Sequence, residues 1–429
     1  MIRPFTHTML NGLRVVCVEM PHLHAVELAV YLKVGGRNDP PGKAGLSHFL
    51  EHILFRGTRD FGSSREIENA FEAIGGAPNA ATDAESTCYY SRVHPDNIRQ
   101  GMEIFFSMLM RPLLEGVEIE KRIIAEEARG DLNERGVEIS PDTIASGLLW
   151  PRHPLGLPTI GTTESIAGMN RRDMETHLVD FYRPNRAVLV VSGPARSHEV
   201  FTCAEDVFGD WHSGAVPETL PVTGRDTTPR ICCVDDSDSQ MNLQLAFLAL
   251  SRGDVRCPVL RLARRILAGG GSSRLYLKLR EELGIIYSVE ASICAYEETG
   301  CFSIDLSTAP ETLPQAIEAT LAELLLLATE PVPDEERERV IQSYVYDLEY
   351  SRDSAFEMGG RYGWGELMGV VRSIEEDQKA ARSITAVDIL QISRTVFAPE
   401  NLRLVAVGPW KRGMKKQVRE LVKRYRHDF

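Results

Sequence analysis

Two histidines and a glutamate stand close together in the segment His48-Phe49-Leu50-Glu51-His52. On an α-helix, residues four positions apart lie on one face, so His48 and His52 can offer two imidazole nitrogens to a single metal ion. Glu51 lies beside the same face, where its carboxylate can act as a general base on a water molecule. This order, with the glutamate directly before the second histidine, is the inverted form of a zinc-hydrolase motif. The segment therefore predicts a hydrolytic zinc site.

A catalytic zinc ion usually takes three protein ligands, so the third ligand must come from elsewhere in the chain. The charged helix predicted over residues 116–135 contains several glutamates. Glu120 and Glu127 are seven residues apart, which is two helical turns, so their side chains point in the same direction. One of them can bind the metal while the other supports a ligand from behind. The spacing alone does not decide which glutamate has which role.

The surroundings of the motif recur in the second half of the chain. A proline, a short apolar strand and a Gly-Pro pair occur at residues 184–194 and again, 215 positions later, at residues 399–409. This offset is half of the chain and predicts a duplicated lobe. Residues 213–230 are rich in proline and glycine, which is typical of a linker. We therefore expect an N-terminal zinc-binding catalytic lobe at residues 1–212 and a homologous C-terminal lobe at residues 231–429.

Apolar periodicity predicts an α+β fold for each lobe. Strands are expected at residues 13–19, 26–34, 76–82, 86–93, 241–250, 287–296 and 300–306. Helices are expected at residues 45–55, 64–74, 97–110, 116–135 and 259–267. Each lobe should then be a mainly antiparallel sheet covered by helices.

Composition excludes several classes of protein. The chain has 429 residues and a net charge of -13, which argues against a nucleic-acid binder because such proteins need a basic surface. The longest apolar run, Leu245–Leu250, is far shorter than the roughly 20 residues of a membrane span. The eight cysteines have no C-x-x-C spacing and are expected to be reduced core residues. Since no signal segment is visible either, we expect a cytoplasmic location.

The segments GLSHFLEHILFRGT (residues 45–58) and EKRIIAEE (residues 120–127) resemble the pitrilysin/insulinase family of zinc peptidases, and are closest to its short, processing-peptidase-like bacterial branch. The resemblance implies a metalloendopeptidase with one zinc ion per chain. It assigns metal ligation to His48, His52 and Glu127, the role of general base to Glu51, and support of the site to Glu120.

Residues 75–82 resemble the family's edge strand, at which the substrate backbone pairs. The resemblance therefore implies that Asn79, Ala80, Ala81 and Thr82 bind the substrate.

Residues 272–288 resemble a segment in which the family carries an Arg-x6-Tyr pair, here Arg280 and Tyr287. The resemblance implies that this pair reaches the substrate near the metal. Arg280 would bind a peptide carbonyl, and Tyr287 would help to hold the oxyanion. Taken without the family, Arg280 would be a surface helix residue and Tyr287 an aromatic residue on a strand face.

The resemblance also implies an assembly and a substrate class. The two lobes would form half of a clam-shell chamber that a homodimer completes, with a heterodimer containing an inactive homologue as the alternative. Substrates would be unfolded peptides or short protein segments, bound as an added β-strand. Two other functions stay open: a non-catalytic structural or partner subunit of a heterodimeric processing peptidase, and a dedicated maturase of one peptide precursor.

Overall fold

The computed structural model describes residues 4–223 and 230–429. The strands are β1 (Pro4–Thr8), β2 (Arg14–Glu19), β3 (Val26–Leu32), β4 (Asn79–Thr82), β5 (Thr87–Val93), β6 (Ala187–Gly193), β7 (Arg230–Asp235), β8 (Met241–Ala249), β9 (Ile286–Ala295), β10 (Gly300–Thr308) and β11 (Leu402–Gly408). The helices are α1 (Leu46–Leu54), α2 (Ser64–Ala73), α3 (Ile98–Met110), α4 (Val117–Ala128), α5 (Pro141–Leu149), α6 (Thr163–Gly168), α7 (Arg171–Phe181), α8 (Ser197–Phe208), α9 (Cys257–Ala268), α10 (Leu313–Thr329), α11 (Asp334–Tyr350), α12 (Ala355–Met368), α13 (Ile374–Ser383), α14 (Ala386–Val396) and α15 (Met414–Asp428). A π-helical segment spans Tyr276–Glu282.

The first sheet has the strand order β1-β2-β6-β3-β5-β4. β2 and β6 are parallel, and the other neighbouring strands are antiparallel. Every residue of the central strands β3 and β6 is buried. Burial on both faces favours the continuous apolar sequences of these strands over a simple alternation. Strand β4, which carries four of the predicted substrate-binding residues, lies at the edge of this sheet.

The second sheet repeats this plan in the order β7-β11-β8-β10-β9, again with one parallel pair, β7 and β11. The repeated strands β6 and β11 both end at a glycine with positive φ, Gly193 at 143° and Gly408 at 146°. A Cβ atom at these positions would lie 2.7 Å from the carbonyl oxygen of Ala25 and 2.4 Å from that of Gln240. Side chains are therefore excluded at the same point of both sheets. The predicted fold, two homologous α+β lobes with mainly antiparallel sheets, is confirmed.

The compact units are not continuous in sequence. One consists of residues 1–128, 157–220 and 349–373, and the other of residues 129–156, 221–348 and 374–429. The reason is an exchange of helices: α12, from the second half, packs on β3 and β6, whereas α5, from the first half, packs on β8 and β11. The predicted lobes 1–212 and 231–429 do not include this exchange. Each sheet is thus covered on a second face by a helix from the other half of the sequence.

Of the predicted linker, residues 213–230, the structure describes residues 213–223 and Arg230. Residues 213–223 form neither helix nor strand, residues 224–229 lie outside the described part of the chain, and β7 begins at Arg230. Arg37 Nη2 donates to the carbonyl oxygen of Leu220 at 2.8 Å, so the start of this segment is bound to the first unit.

The structure refines the predictions for one helix and for the cysteines. The helix predicted over residues 116–135 ends at Ala128 and is followed by a 3₁₀ turn that includes Gly130, a residue with low helix propensity. The cysteines are not uniformly in the core, since Cys17 is buried but Cys294 is exposed. Among the described helices, none combines the length and the apolar composition needed to cross a membrane.

Candidate metal centre

Helix α1 presents the two histidines of the motif on one face. Its opposite face is fully buried in the core through Phe49, Leu50 and Ile53, which fixes the rotation of the helix. His48 and His52 consequently project from successive turns, with ring centroids 4.6 Å apart and the ring planes at 63°. The sequence spacing therefore yields two adjacent imidazoles, as the helical geometry requires.

Helix α4 brings Glu127 to the same place. Glu127 Oε1 lies 3.9 Å from His48 Nε2, and Glu127 Oε2 lies 3.7 Å from His52 Nε2. Ligand atoms of these three residues all lie within 4.8 Å of one another. Four tetrahedral ligands at about 2.1 Å from a zinc ion stand roughly 3.4 Å apart. The two carboxylate–imidazole distances are within about 0.5 Å of that spacing, and the residues present fit a zinc ion once the most separated pair of ligand atoms closes by up to about 1.4 Å.

Glu120 lies behind His52 and not with the three converging ligand atoms. Its Oε2 is 3.3 Å from His52 Nδ1, and its Oε1 accepts from Arg56 Nε at 2.7 Å. The Glu120 side chain is buried. A carboxylate on the Nδ1–H of a metal-binding histidine fixes the ring and directs the lone pair of Nε2 towards the metal. The structure thus separates the two glutamates that spacing alone could not distinguish.

The electrostatic environment of the two histidines differs. Burial, with a smaller contribution from His52, lowers the pKa of His48 to about 4, so this imidazole is neutral at pH 7. The hydrogen bond with Glu120 raises the pKa of His52, against the opposing effect of burial. A metal ligand must be unprotonated at the coordinating nitrogen, which His48 satisfies without any further partner.

Glu51 is buried beside these residues, with 9% of its surface exposed. Burial raises the pKa of its carboxyl group, Glu127 adds to this rise, and a hydrogen bond from Thr82 opposes it. The bond runs from Thr82 Oγ1, on β4, to Glu51 Oε2. A raised pKa brings a carboxylate nearer to the range in which it can accept and release a proton at neutral pH.

Strand β4 pairs with β5 along one side and ends the sheet on the other. Asn79 and Ala81 are exposed, whereas Ala80 and Thr82 are half-buried on the side of α1. An edge strand offers backbone N–H and C=O groups to an added strand. The edge therefore has the geometry that the sequence prediction requires.

Arg280 and Tyr287 belong to the second unit and contact each other. Arg280 Nη1 donates to the carbonyl oxygen of Tyr287 at 3.1 Å. The guanidinium carbon lies 5.0 Å from the ring centroid of Tyr276 and 5.1 Å from that of Tyr287, and 82% of Tyr287 is exposed. Arg280 is thus held between two aromatic rings on a π-helical segment, a conformation that is frequent at functional sites. Tyr276 had no role in the sequence prediction, although its spacing of four residues from Arg280 signals a helical neighbour.

Sequence reasoning also missed a buried cluster at the start of α1. Asp39 Oδ2 accepts from Gly45 N at 2.8 Å, and Asp39 Oδ1 accepts from Ser47 N at 2.9 Å and from Ser47 Oγ at 2.7 Å. His177 Nε2 lies 3.0 Å from Ser47 Oγ. Asp39 satisfies N–H groups of the first turn that have no partner within the helix. Its distance of six residues from Gly45 hides this role in the sequence, and no sequence signal identifies His177.

Two family profiles match consecutive parts of the chain. The profile described as "Insulinase (Peptidase family M16)" matches residues 14–163, and "Peptidase M16 inactive domain" matches residues 168–344. The chain belongs to the insulinase family of peptidases, M16. The first match contains the residues of the candidate metal centre, and the second contains Arg280 and Tyr287. The family predicted from the motifs is confirmed.

Individual relatives agree with this membership. YmxG of Bacillus subtilis, an uncharacterized zinc protease, is 29% identical over 414 residues, which cover 94% of this chain and 98% of the relative. A protease from Helicobacter pylori has a similar fold, with a TM-score of 0.89, 20% identity and coverage of 95% and 100% of the two chains. The periplasmic protease PqqL from Escherichia coli matches with a TM-score of 0.81 and 19% identity over 99% of this chain but only 50% of its own. Family and relatives together associate the chain with zinc proteases of M16.

Proposed function

We propose that this chain is a zinc-dependent endopeptidase that hydrolyses unfolded peptides or short protein segments. The observation that carries the proposal is the convergence of ligand atoms from His48, His52 and Glu127 within 4.8 Å, with the buried carboxylate of Glu51 beside them. A buried base next to a metal-binding set is the arrangement of a hydrolase rather than of a structural metal site, which is normally closed by a fourth protein ligand.

One zinc ion per chain would be held by His48 Nε2, His52 Nε2 and a carboxylate oxygen of Glu127, with Glu120 holding the His52 ring. When bound, such an ion polarises the scissile carbonyl and makes a water molecule easier to deprotonate. Glu51 Oε2 already accepts from the Thr82 hydroxyl, and we assign the proton of the attacking water to Oε1, which keeps both of its lone pairs. Glu51 would then deliver that proton to the nitrogen of the leaving amine.

Substrate binding is proposed at the free edge of β4. A peptide that pairs there as an added strand gains main-chain hydrogen bonds that do not depend on its sequence. This mode favours extended, unfolded segments and broad specificity. Asn79, Ala80, Ala81 and Thr82 are the residues of the chain that would line it.

Arg280 and Tyr287 are proposed to bind the substrate carbonyl and the oxyanion. Support comes from the exposure of Tyr287 and from the stacking that holds the Arg280 guanidinium in one orientation. A guanidinium whose position is fixed before binding loses less side-chain freedom when it takes a ligand.

The proposed assembly is a homodimer that encloses a chamber. This chain spans half of the length of PqqL, so a second copy would supply the other half of such a molecule. Sedimentation equilibrium at micromolar protein tests the dimer, and a stable monomer with full peptidase activity contradicts it. The cytoplasmic location stays a prediction, which fractionation of the source cells tests.

A second candidate is a non-catalytic partner subunit of a heterodimeric processing peptidase. It is favoured by the match of residues 168–344 to a profile described as an inactive domain. That match does not cover the metal motif at residues 48–52, which lies within the insulinase match at residues 14–163. A maturase for one peptide precursor would use the same chemistry and differ only in its substrate range.

Turnover of a library of quenched fluorogenic peptides tests these functions together. Peptidase activity that disappears with a chelator and returns with added zinc supports the endopeptidase. Cleavage of a single sequence in the library supports the maturase. Absence of turnover by zinc-loaded protein that contains one zinc ion per chain contradicts the catalytic proposal and leaves the partner subunit.

A further inference from the structure

We propose that Thr82 is a positioning residue for Glu51, so that the edge strand and the general base are mechanically linked. This inference rests on the proposed function and deepens it. Thr82 Oγ1, on the edge strand β4, donates to Glu51 Oε2 on α1. The strand that would accept the substrate backbone thus touches the carboxylate that would move the proton.

The Thr82 hydroxyl is the donor in this hydrogen bond, because an ionised carboxylate only accepts. Thr87 Oγ1 lies 3.4 Å from Thr82 Oγ1, but it donates its single proton to the carbonyl oxygen of Val34 at 2.9 Å. Thr87 is fully buried, so no solvent competes for that proton. Thr87 therefore has no proton left for Thr82, and at 3.4 Å it is a weak acceptor beside the Glu51 carboxylate. One oxygen of Glu51 is fixed, and its other oxygen is directed by the same contact.

The turn behind Thr82 is held by several independent contacts. Gly36 N donates to the carbonyl oxygen of Asp83 at 3.1 Å, and Arg37 N donates to that of Ala84 at 2.9 Å. Arg37 and Glu85 form a buried ion pair. Separation of a buried pair is costly, because it leaves an uncompensated charge in the interior. Thr82 is therefore carried by a rigid hairpin end and not by a mobile loop.

Close backbone packing supports the same conclusion. A Cβ atom at Gly35 would lie 2.2 Å from the carbonyl oxygen of Asp83, so the two segments meet without space for a side chain. Asp83 Oδ1 also accepts from Glu85 N at 2.6 Å and from Ser86 N at 2.8 Å. The position of the Thr82 hydroxyl is consequently set by the fold before any substrate binds.

The test compares Thr82→Val, which removes the hydroxyl but keeps a β-branched side chain of the same shape, with Thr82→Ser, which keeps the hydroxyl. Thr202→Val is the matched control, because Thr202 is exposed on α8 and bonds only the backbone of its own helix, at His198. For Thr82→Val we expect a kcat lower by about tenfold to a hundredfold, the size expected for one hydrogen bond to a charged group. KM should stay within about twofold, and zinc content should stay at one ion per chain. Thr82→Ser should recover most of the kcat, and Thr202→Val should match the parent protein.

A double-mutant cycle separates positioning from a general structural role. If Thr82 acts through Glu51, adding Thr82→Val to a Glu51→Gln protein changes kcat by less than about twofold, because no base is left to position. An equal loss in both backgrounds overturns the proposal. So does a Thr82→Val protein with a kcat within twofold of the parent, or a Thr82→Ser protein that loses as much as Thr82→Val.

A second measurement does not depend on activity. In zinc-free protein, Thr82→Val and Glu51→Ala should shift the midpoint of denaturant unfolding non-additively, since each removes the same contact. Additive shifts overturn the contact itself. If the parent protein hydrolyses no peptide while the shifts are non-additive, the proposed function fails and the Thr82–Glu51 contact stands.

Discussion

Replacement of Glu120 by glutamine should weaken zinc binding without removing a metal ligand. Both carboxylate oxygens of Glu120 face donors: Oε2 is 3.3 Å from His52 Nδ1, and Oε1 accepts from Arg56 Nε at 2.7 Å. A glutamine side chain has one acceptor and one NH₂ group, so one of these donors would face another donor. The buried site offers little solvent to relieve that conflict.

The size of the effect follows from this geometry. Loss of an outer partner of a metal-binding histidine typically costs about tenfold to a hundredfold in metal affinity. At about 1.4 kcal/mol per factor of ten, this is roughly 1.4 to 2.8 kcal/mol, in the range of one hydrogen bond to a charged group. Glu127→Gln removes a charged ligand and should weaken zinc binding by more than about a hundredfold.

The assay is competition for zinc against a fluorescent chelator at pH 7.5, which requires no catalytic turnover. Glu118→Gln is the control, because Glu118 lies on the same helix α4 but is exposed and pairs with Lys121. It should leave the dissociation constant unchanged. If Glu120→Gln weakens zinc binding as much as Glu127→Gln, or not at all, the division of roles between the two glutamates is wrong.

Three further outcomes follow from individual contacts. Glu51→Gln should keep one zinc ion per chain but lower kcat at least about a hundredfold, measured with quenched peptides; near-normal turnover would remove Glu51 from the role of base. Gly363→Ala should destabilise the protein by about 1 to 3 kcal/mol in denaturant unfolding, because the new Cβ would lie 2.2 Å from Val190 Cγ2. Gly168→Ala is the control and should not destabilise the protein, because its new Cβ meets nothing within 4 Å. Equal effects of the two changes would argue against the tight packing of α12. Burial raises the pKa of Glu27 from 4.5 to about 7, so the folded state favours the protonated form and loses stability as the pH rises between these two values. The free energy of unfolding of Glu27→Gln, relative to that of the parent, should therefore increase by about 2 to 3 kcal/mol from pH 5 to pH 8. A difference that does not vary with pH would contradict this.

The proposed metal ligands were the part of the candidate site most accessible from sequence. His48 and His52 share one helix, so their proximity follows from the helical repeat alone. Glu127 is far from them in sequence, and spacing left it equivalent to Glu120; only the packing of α4 against α1 distinguishes the two. Resemblance to a family, rather than physical reasoning from the sequence, had favoured Glu127.

Contacts between distant segments were not accessible in this way. The bond from Thr82 to Glu51 depends on the exact height of an edge strand over a helix, which no local pattern encodes. The same holds for His177, which is fully buried against Ser47 and has no periodicity or motif around it. Side-chain pairs of this kind are set by tertiary packing, which overrides local preference.

The exchange of helices between the two halves was not accessible from the sequence for a different reason. Repeats at residues 184–194 and 399–409 correctly mark corresponding strands of the two sheets, β6 and β11, each of which has one parallel and one antiparallel neighbour. A repeat in sequence, however, says which elements correspond and not which unit each one packs on. Helix α12 carries Gly359 and Gly363, whose small size lets it approach β6 closely, but this complementarity is visible only once both surfaces are known.

The same duplication explains why the second lobe is not expected to repeat the candidate metal centre. The 215-residue offset maps β3 onto β8 from their first residues, Val26 and Met241, and it maps α1 onto α9. His48, Glu51 and His52 then correspond to Ala263, Ile266 and Leu267, all of them buried core residues. Polar groups left there without a metal would carry the cost of desolvation. In the second lobe the equivalent helix therefore contributes to the hydrophobic core. The residues of this lobe that we propose to contact the substrate, Arg280 and Tyr287, lie outside that helix.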